Sequence, residues 1–324
     1  MIKENSKTQY EVWSKNLTKV YSDGKEKFEA VSEINLRIRP GIHGYLGPNG
    51  AGKTTTINML IGAISITGGE AKIRERKAGT VKARQLIGFL PQDPKFYDEM
   101  TGEEYLIYTG QLGGLSYIEA KKKAHELLDY FDLFNERHRE IGNYSGGMKQ
   151  KIGIASALIH EPKVLILDEP TANLDPIGRA DVINKIKDLS KEMSVFVSSH
   201  ILSEIEQMCE EVTMINRGKI VISDTITNIK KMFISQMFIL NTNNNELALA
   251  HLKEKEFVES VILNDMDNML HITPNDPEKL KKFIPKLILD KNLVLQSFNQ
   301  PQMSLQDIFM EIMAIKENEN EIKN

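Results

Sequence analysis

The stretch GPNGAGKTT, residues 47–55, constrains the fold of this chain more than any other. It fits G-x-x-x-x-G-K-[ST]. The apolar run GIHGYLG (41–47) leads into it and TTTINMLIG follows, so a strand must end and a helix begin within a few residues. Gly47, Gly50 and Gly52 let the backbone wrap, with Pro48, Asn49 and Ala51 between them, so that N–H groups converge on a chain of phosphates. Lys53 is then placed to reach the β- and γ-phosphates, the Thr54 hydroxyl to ligate Mg²⁺, and Thr55 to help hold the α-phosphate. A tight strand–helix turn carrying a chance lysine is the competing reading. It leaves the three glycines followed by Lys-Thr unexplained.

The surrounding pattern suits that loop. LIGFLP (86–91), VLILD (164–168) and SVFVSS (194–199) are short apolar runs with helical patterns between several of them, such as RADVINKIKDLSKE (179–192). Such alternation predicts a mostly parallel sheet covered on both faces. EVTMINRGKIVIS (211–223) predicts a closing hairpin that turns at Asn216-Arg217-Gly218. Residues 101–139 carry helical patterns and no strand candidate, which predicts a helical insertion. The texture changes after Lys231. ISQMFILNT and LVLQSFN read as strands, NELALAHLKEKEF and PEKLKKFIPKLILDK as helices. A last helix begins at Ser304 as its N-cap and runs into a charged, frayed tail.

Composition narrows the classes of function. The chain has 324 residues, enough for two domains, and a net charge of −4, which argues against a nucleic-acid-coating protein. One cysteine, Cys209, rules out an internal disulfide framework. The N-terminus lacks the apolar stretch of a signal peptide, and no window approaches the ~18 apolar residues of a membrane span. A role at a membrane therefore requires another chain to supply the spans.

Two further stretches carry chemistry. VLILDEP (164–170) is an apolar strand that ends in two acids. Asp168 is placed to hold Mg²⁺ through water, and Glu169 to orient and deprotonate an attacking water. NYSGGMKQK (143–151) opens a helix with Ser145 as N-cap and then two glycines, Gly146 and Gly147, which weaken a helix. A helix N-terminus stripped of side chains is an anion site.

With these motifs in this order, residues 8 to about 228 resemble the ATPase subunit of an ABC transporter. YSGGM (144–148) resembles the family signature Leu-Ser-Gly-Gly-Gln, with Tyr144 and Met148 departing from it. The resemblance implies a head-to-tail pair of ATPase subunits, a homodimer or a heterodimer with a paralogue. The signature of one closes over ATP held by the P-loop of the other, so the γ-phosphate is the anion for Ser145, Gly146 and Gly147. It also implies roles for single residues. Gln92 in LPQDP senses Mg²⁺ and the membrane partner. Asp175 in ANLDP, the D-loop, faces the partner P-loop. His200 in VSSHIL contacts the γ-phosphate, and Tyr21 in LTKVYSDG is the platform for adenine. Phe96, Tyr97 and Met100 are candidates for an exposed apolar contact with the permease. His43 and Trp13, the latter near the start of an edge strand, are read as packing, and lysines 121–123 as a solvated helix face.

The expected fold is α/β. A P-loop NTPase domain of the ABC ATPase type covers 1–229, with a mostly parallel sheet, an antiparallel subdomain and a helical insertion at about 100–140. A small C-terminal α+β domain covers 230–324. The resemblance implies hydrolysis of ATP with Mg²⁺ and a polytopic membrane permease as partner. It places the chain in the cytoplasm, peripheral on the inner face of the membrane through that permease. Stand-alone exporter ATPases share an ending like SLQDIFMEI (304–312). Soluble relatives acting on ribosomes or DNA fit less well, because only one P-loop is present and no long coiled coil lies between Gln92 and Tyr144. The sequence does not name the cargo.

Overall fold

The computed structural model describes residues 10–22, 24, 26–233, 237–264, 267–301 and 303–312. The charged tail predicted after the last helix, and the first residues of the strand predicted at ISQMFILNT, lie outside them. The chain divides into two compact units, Met1–Ile226 and Thr227–Asn324.

In chain order the first unit runs β1 (Val12–Ser22), β2 (Lys27–Ile34), β3 (Arg37–Ile38), β4 (Ile42–Leu46), α1 (Lys53–Ile61), β5 (Gly68–Ile73), β6 (Arg76–Lys77), α2 (Val81–Arg84) and β7 (Ile87–Leu90). It continues through α3 (Gly102–Leu112), α4 (Tyr117–Tyr130), α5 (Gly146–Leu158), β8 (Val164–Asp168), α6 (Pro176–Leu189), β9 (Ser194–Ser199), α7 (Leu202–Met208), β10 (Glu211–Asn216) and β11 (Lys219–Thr225).

The central sheet has the order β11-β10-β4-β9-β8-β7. Its strands are parallel from β10 to β7. Every residue of β8 and β9 is buried, which is why their centres, VLIL and VFV, read as apolar runs rather than as alternation. β11 returns antiparallel through Arg217 and Gly218, both at positive φ, the geometry that matches the twist of a two-residue hairpin. The second sheet is antiparallel, with order β2-β1-β5-β6 and β3 also on β1. Trp13 is therefore interior to that sheet and not on an edge strand. It pairs with Arg37 on one side and Lys72 on the other, because β5 returns from α1 to cover the second side of β1. One core joins the two sheets, with Val12, Ile34 and Ile38 from the antiparallel sheet, Tyr45, Ile166 and Phe196 from the parallel one and Ile57 from α1.

The segment between Gln92 and Tyr144 folds as α3 and α4, each opened by a reciprocal capping box, Thr101 with Glu104 and Ser116 with Glu119. Tyr144 is buried, and its hydroxyl donates to the Glu136 carbonyl at 2.9 Å. The larger side chain in place of the signature leucine is accommodated by Gly102, where a Cβ would lie 2.2 Å from that hydroxyl oxygen.

After α8 (Ile226–Met232), the second unit runs β12 (Phe238–Thr242), α9 (Asn245–Lys253), β13 (Val258–Leu263), β14 (Leu270–Pro274), α10 (Pro277–Asp290) and β15 (Leu295–Asn299). Its antiparallel sheet has the order β13-β14-β12-β15. This is the split β-α-β arrangement of a β-α-β-β-α-β chain. The core is Phe238, Leu240, Leu270 and Ile272 of the sheet against Leu252, Leu280, Ile284 and Leu287 of the helices. β13 and β14 escaped the sequence reading. β13 buries only Val261, so its alternation is faint, and β14 is five residues long. Ser304 caps the last helix in a reciprocal pair with Asp307.

Candidate active site

β4, β9, β8 and β7 are neighbours in the sheet, and their carboxyl ends carry the P-loop, His200, Asp168–Glu169 and Gln92 respectively. This is the edge at which parallel α/β sheets bind ligands. Four stretches far apart in sequence meet here because the strands that carry them are adjacent.

The P-loop is shaped by close approach. A Cβ on Gly47 would lie 2.4 Å from the Ile215 carbonyl. Gly52 is the N-cap of α1 at φ 105, and a Cβ there would meet the Ala30 carbonyl at 2.8 Å. No other residue fits either position. The Thr56 hydroxyl donates back to the Gly52 carbonyl at 2.9 Å and accepts from Tyr45 at 3.2 Å. Burial pushes the Tyr45 phenol far up, so it stays a neutral donor. Lys53 opens α1, and its ammonium curls back over the loop to donate to the carbonyls of Gly47 at 2.8 Å and Pro48 at 3.3 Å.

Beside the loop is a cleft of about 400 Å³ whose lining includes Tyr21, Phe28, Asn49, Thr54, Gln92 and Glu169. Gly50, Gly52, Lys53 and Thr55 also border it. Phe28 is a site residue that the sequence reading missed. It is 66% exposed and is the cross-strand partner of Tyr21, itself 44% exposed. Only the β1–β2 register reveals that two aromatics stand together here.

Glu169 is the centre of the arrangement. It is 5% exposed and sits at φ 50, an uncommon conformation for a non-glycine residue. Its Oε1 lies 3.3 Å from the Lys53 ammonium. Its Oε2 accepts from Gln92 Nε2 at 3.1 Å and lies 2.9 Å from His200 Nδ1. Its backbone N–H donates to Ser198 Oγ at 3.0 Å, and the same hydroxyl donates to Asp168 Oδ1. Ser198 is fully buried on β9 and had no signal in the sequence beyond lying two residues before His200. It holds the Asp168 carboxylate and the Glu169 backbone together at the end of β8. Because Gln92 gives its amide N–H to Glu169, its amide oxygen is left for another partner. With the Thr54 hydroxyl and the Asp168 carboxylate, the set offers only hard oxygen donors, the chemistry that Mg²⁺ takes.

The signature lies apart from this cleft. Ser145 caps α5, its hydroxyl accepting from the Met148 N–H at 3.2 Å, and Gly146 and Gly147 form the first turn. None of the three lines the cleft. A Cβ on Gly147 would meet nothing within 4 Å, so nothing among the described residues requires a glycine there. Asp175 caps α6 through the Gly178 N–H at 2.7 Å and also lies outside the cleft lining. Of the residues singled out beyond the site, His43 is buried with Nε2 2.8 Å from Thr213 Oγ1. Tyr97 is 53% exposed, and Phe96 and Met100 are half-buried.

A family model described as ABC transporter matches residues 31–172. The ATP-binding protein YxlF of Bacillus subtilis, an uncharacterized ABC transporter component, is 37% identical over 286 residues, covering 88% of this chain and 95% of its own. The bacitracin transport ATP-binding protein BcrA of Bacillus licheniformis is 34% identical, covering 92% and 96%. The linearmycin resistance ATP-binding protein LnrL of Bacillus subtilis is 32% identical, covering 92% and 97%. Among solved structures, an ATP-binding cassette in a dimeric post-hydrolysis state with ADP and Pi aligns at a TM-score of 0.61 and 26% identity, over 66% of this chain and 98% of that one.

The chain belongs to the ATP-binding subunits of ABC transporters. Its first unit has the P-loop NTPase fold of the cassette, and the protein is an ATPase that drives transport.

Proposed function

We propose that this chain is the motor of an exporter, acting through a separate polytopic permease at the inner face of the cell membrane. The observation that carries the mechanistic part is the convergence of Lys53, Gln92 and His200 on Glu169. Glu169 serves as general base for water attacking the γ-phosphate. Lys53 turns from the loop carbonyls to the β- and γ-phosphates, while the N–H groups from Gly47 to Thr55, across Pro48, Asn49 and Ala51, cradle the chain. Tyr21 and Phe28 offer ring faces to adenine. Thr54, Gln92 and Asp168 would hold Mg²⁺, which when bound would supply positive charge to the phosphates. His200 leaves Glu169 for the γ-phosphate.

Two subunits close head to tail. The open space at Gly147 and the exposed cap at Ser145 suit a phosphate brought by a second copy or a paralogue, with Asp175 facing the same interface. Export is favoured because the relatives named for bacitracin transport and linearmycin resistance cover 92% of this chain, its second unit included. An acceptor on the ribosome or DNA is not favoured.

The test uses the tagged Glu169→Gln variant, trapped with ATP and purified from detergent-solubilised native membranes. A polytopic membrane protein in roughly equal amount is the expected result. Ribosomal or DNA-repair proteins in its place would overturn the transporter assignment for this chain.

A further inference from the structure

Glu204 lies in the first turn of α7 and is 3% exposed. Its Oε2 accepts from the Thr171 hydroxyl at 2.6 Å and from the Ser199 hydroxyl at 3.3 Å. Its Oε1 lies 3.2 Å from Arg179 Nε. Each of these three side chains, two hydroxyl donors and one ion-pair partner, belongs to a different part of the site. Thr171 is two residues past Glu169. Ser199 immediately precedes His200 and accepts from the Ile201 N–H at 2.9 Å, closing the turn that carries the histidine. Arg179, on α6, donates through Nη2 to the Leu174 carbonyl at 3.4 Å, one residue before Asp175.

We infer that Glu204 is a positioning residue that links the histidine turn to the D-loop of the same chain, so that engagement of His200 at one nucleotide is felt at the partner's. The inference rests on the paired-subunit reading above, in which Asp175 faces the partner. Stability alone does not account for Glu204. In this pair only the carboxylate is buried, so the half-exposed Arg179 adds little over apolar packing, whereas its loss leaves the Glu204 charge without its cation. What a carboxylate adds is geometry. It is an acceptor only and can take several donors at once, so it sets the spacing of three loops. A backbone shift of the histidine turn towards a phosphate carries Ser199 with it, and Ser199 shares its oxygen acceptor with Thr171. The other oxygen of the same carboxylate restrains Arg179, and through it Leu174.

The test compares full-length wild type with Glu204→Gln, Arg179→Ala and the double variant. Hydrolysis is measured against ATP concentration, with binding of a fluorescent ATP analogue and Tm in parallel. Glu204→Gln keeps the shape and an acceptor for Thr171 but loses the charge that holds Arg179. The expected result is binding within about twofold of wild type, kcat lower by about tenfold, and a Hill coefficient that falls towards one. Arg179→Ala should reproduce this, and the double variant should be no worse than either single change. Wild-type kcat and cooperativity in Glu204→Gln would overturn the inference. So would a parallel loss of Tm, binding and kcat that adds in the double variant, because that marks a purely structural role. The paired-subunit reading is checked separately by size exclusion of Glu169→Gln in ATP. If that variant stays monomeric, that reading fails and the inference goes with it.

Discussion

Lys53 and Glu169 neutralise one another across the P-loop, their charged atoms 3.3 Å apart and both side chains about 95% buried. Each therefore has a role in the fold as well as one proposed in the chemistry. Removing Lys53 leaves a buried carboxylate without its cation, which typically costs roughly 3 kcal/mol or more. Lys53→Ala should accordingly lower the urea midpoint in addition to losing nucleotide binding. Adding Glu169→Gln to it should recover much of the stability and none of the binding. Equal midpoints for Lys53→Ala and wild type would show that the pair contributes nothing to the fold.

Glu169→Gln removes the proposed base but keeps a side chain of the same shape. Phosphate release should fall by at least ~100-fold, while equilibrium binding of ATP stays within a few-fold. Unchanged turnover in this variant would move the base elsewhere.

Gly147→Ala separates folding from pairing. The new methyl group meets nothing within 4 Å, so the unfolding free energy from urea titration should stay within about 0.5 kcal/mol of wild type. ATP-driven dimerisation, followed by light scattering, should nonetheless weaken, because the methyl occupies the space proposed for the partner's phosphate. Gly47→Ala is the opposite case. Its methyl would stand 2.4 Å from the Ile215 carbonyl, so the loop itself must move and folding stability should drop.

The aromatic pair at the cleft is tested by titration with ATP. Stacking of a base on an aromatic ring contributes about 1–3 kcal/mol, so Tyr21→Ala should weaken binding by roughly tenfold or more, with Tyr21→Trp restoring it. Phe28→Ala should act in the same direction. If it has no effect, Tyr21 alone serves as the platform.

One pH dependence follows from two neighbouring strands of the central sheet, β10 and β4. Glu211 lies beside its register partner His43, whose Nδ1 is 3.5 Å from Glu211 Oε2, and that ring holds its carboxyl below the ordinary 4.5. Partial burial opposes this and Arg39, 3.0 Å away, adds to it. A carboxyl whose folded value is depressed stabilises fully above its unfolded value and loses that contribution as pH falls through the folded one. Glu211→Gln should therefore be less stable than wild type near neutrality, and the difference should close as pH falls through the depressed value. A gap that persists in acid would assign the effect to packing.

The sequence by itself determined whatever is written in contiguous residues. The P-loop is legible because a strand, three glycines and Lys-Thr must follow one another to make a phosphate cradle. β8 and β9 are legible because the centres of strands buried on both faces, VLIL and VFV, are continuously apolar. The hairpin at Arg217-Gly218 and the caps at Ser145 and Ser304 are legible because turns and helix starts have local chemistry. Tertiary structure decided everything that depends on strand order and register. Gln92, His200 and Lys53 meet Glu169 only because β7, β8, β9 and β4 lie side by side. Phe28 joins Tyr21 through an antiparallel register that no local pattern announces. Trp13 is interior because β5 returns to β1 from beyond α1. Glu204 reads in sequence as an ordinary acid on a short helix. Its meaning lies in contacts with Thr171, 33 residues earlier in the chain, and with Arg179 on another helix. Local rules are carried by neighbours along the chain, and the spacing of distant loops is set only when packing brings them together.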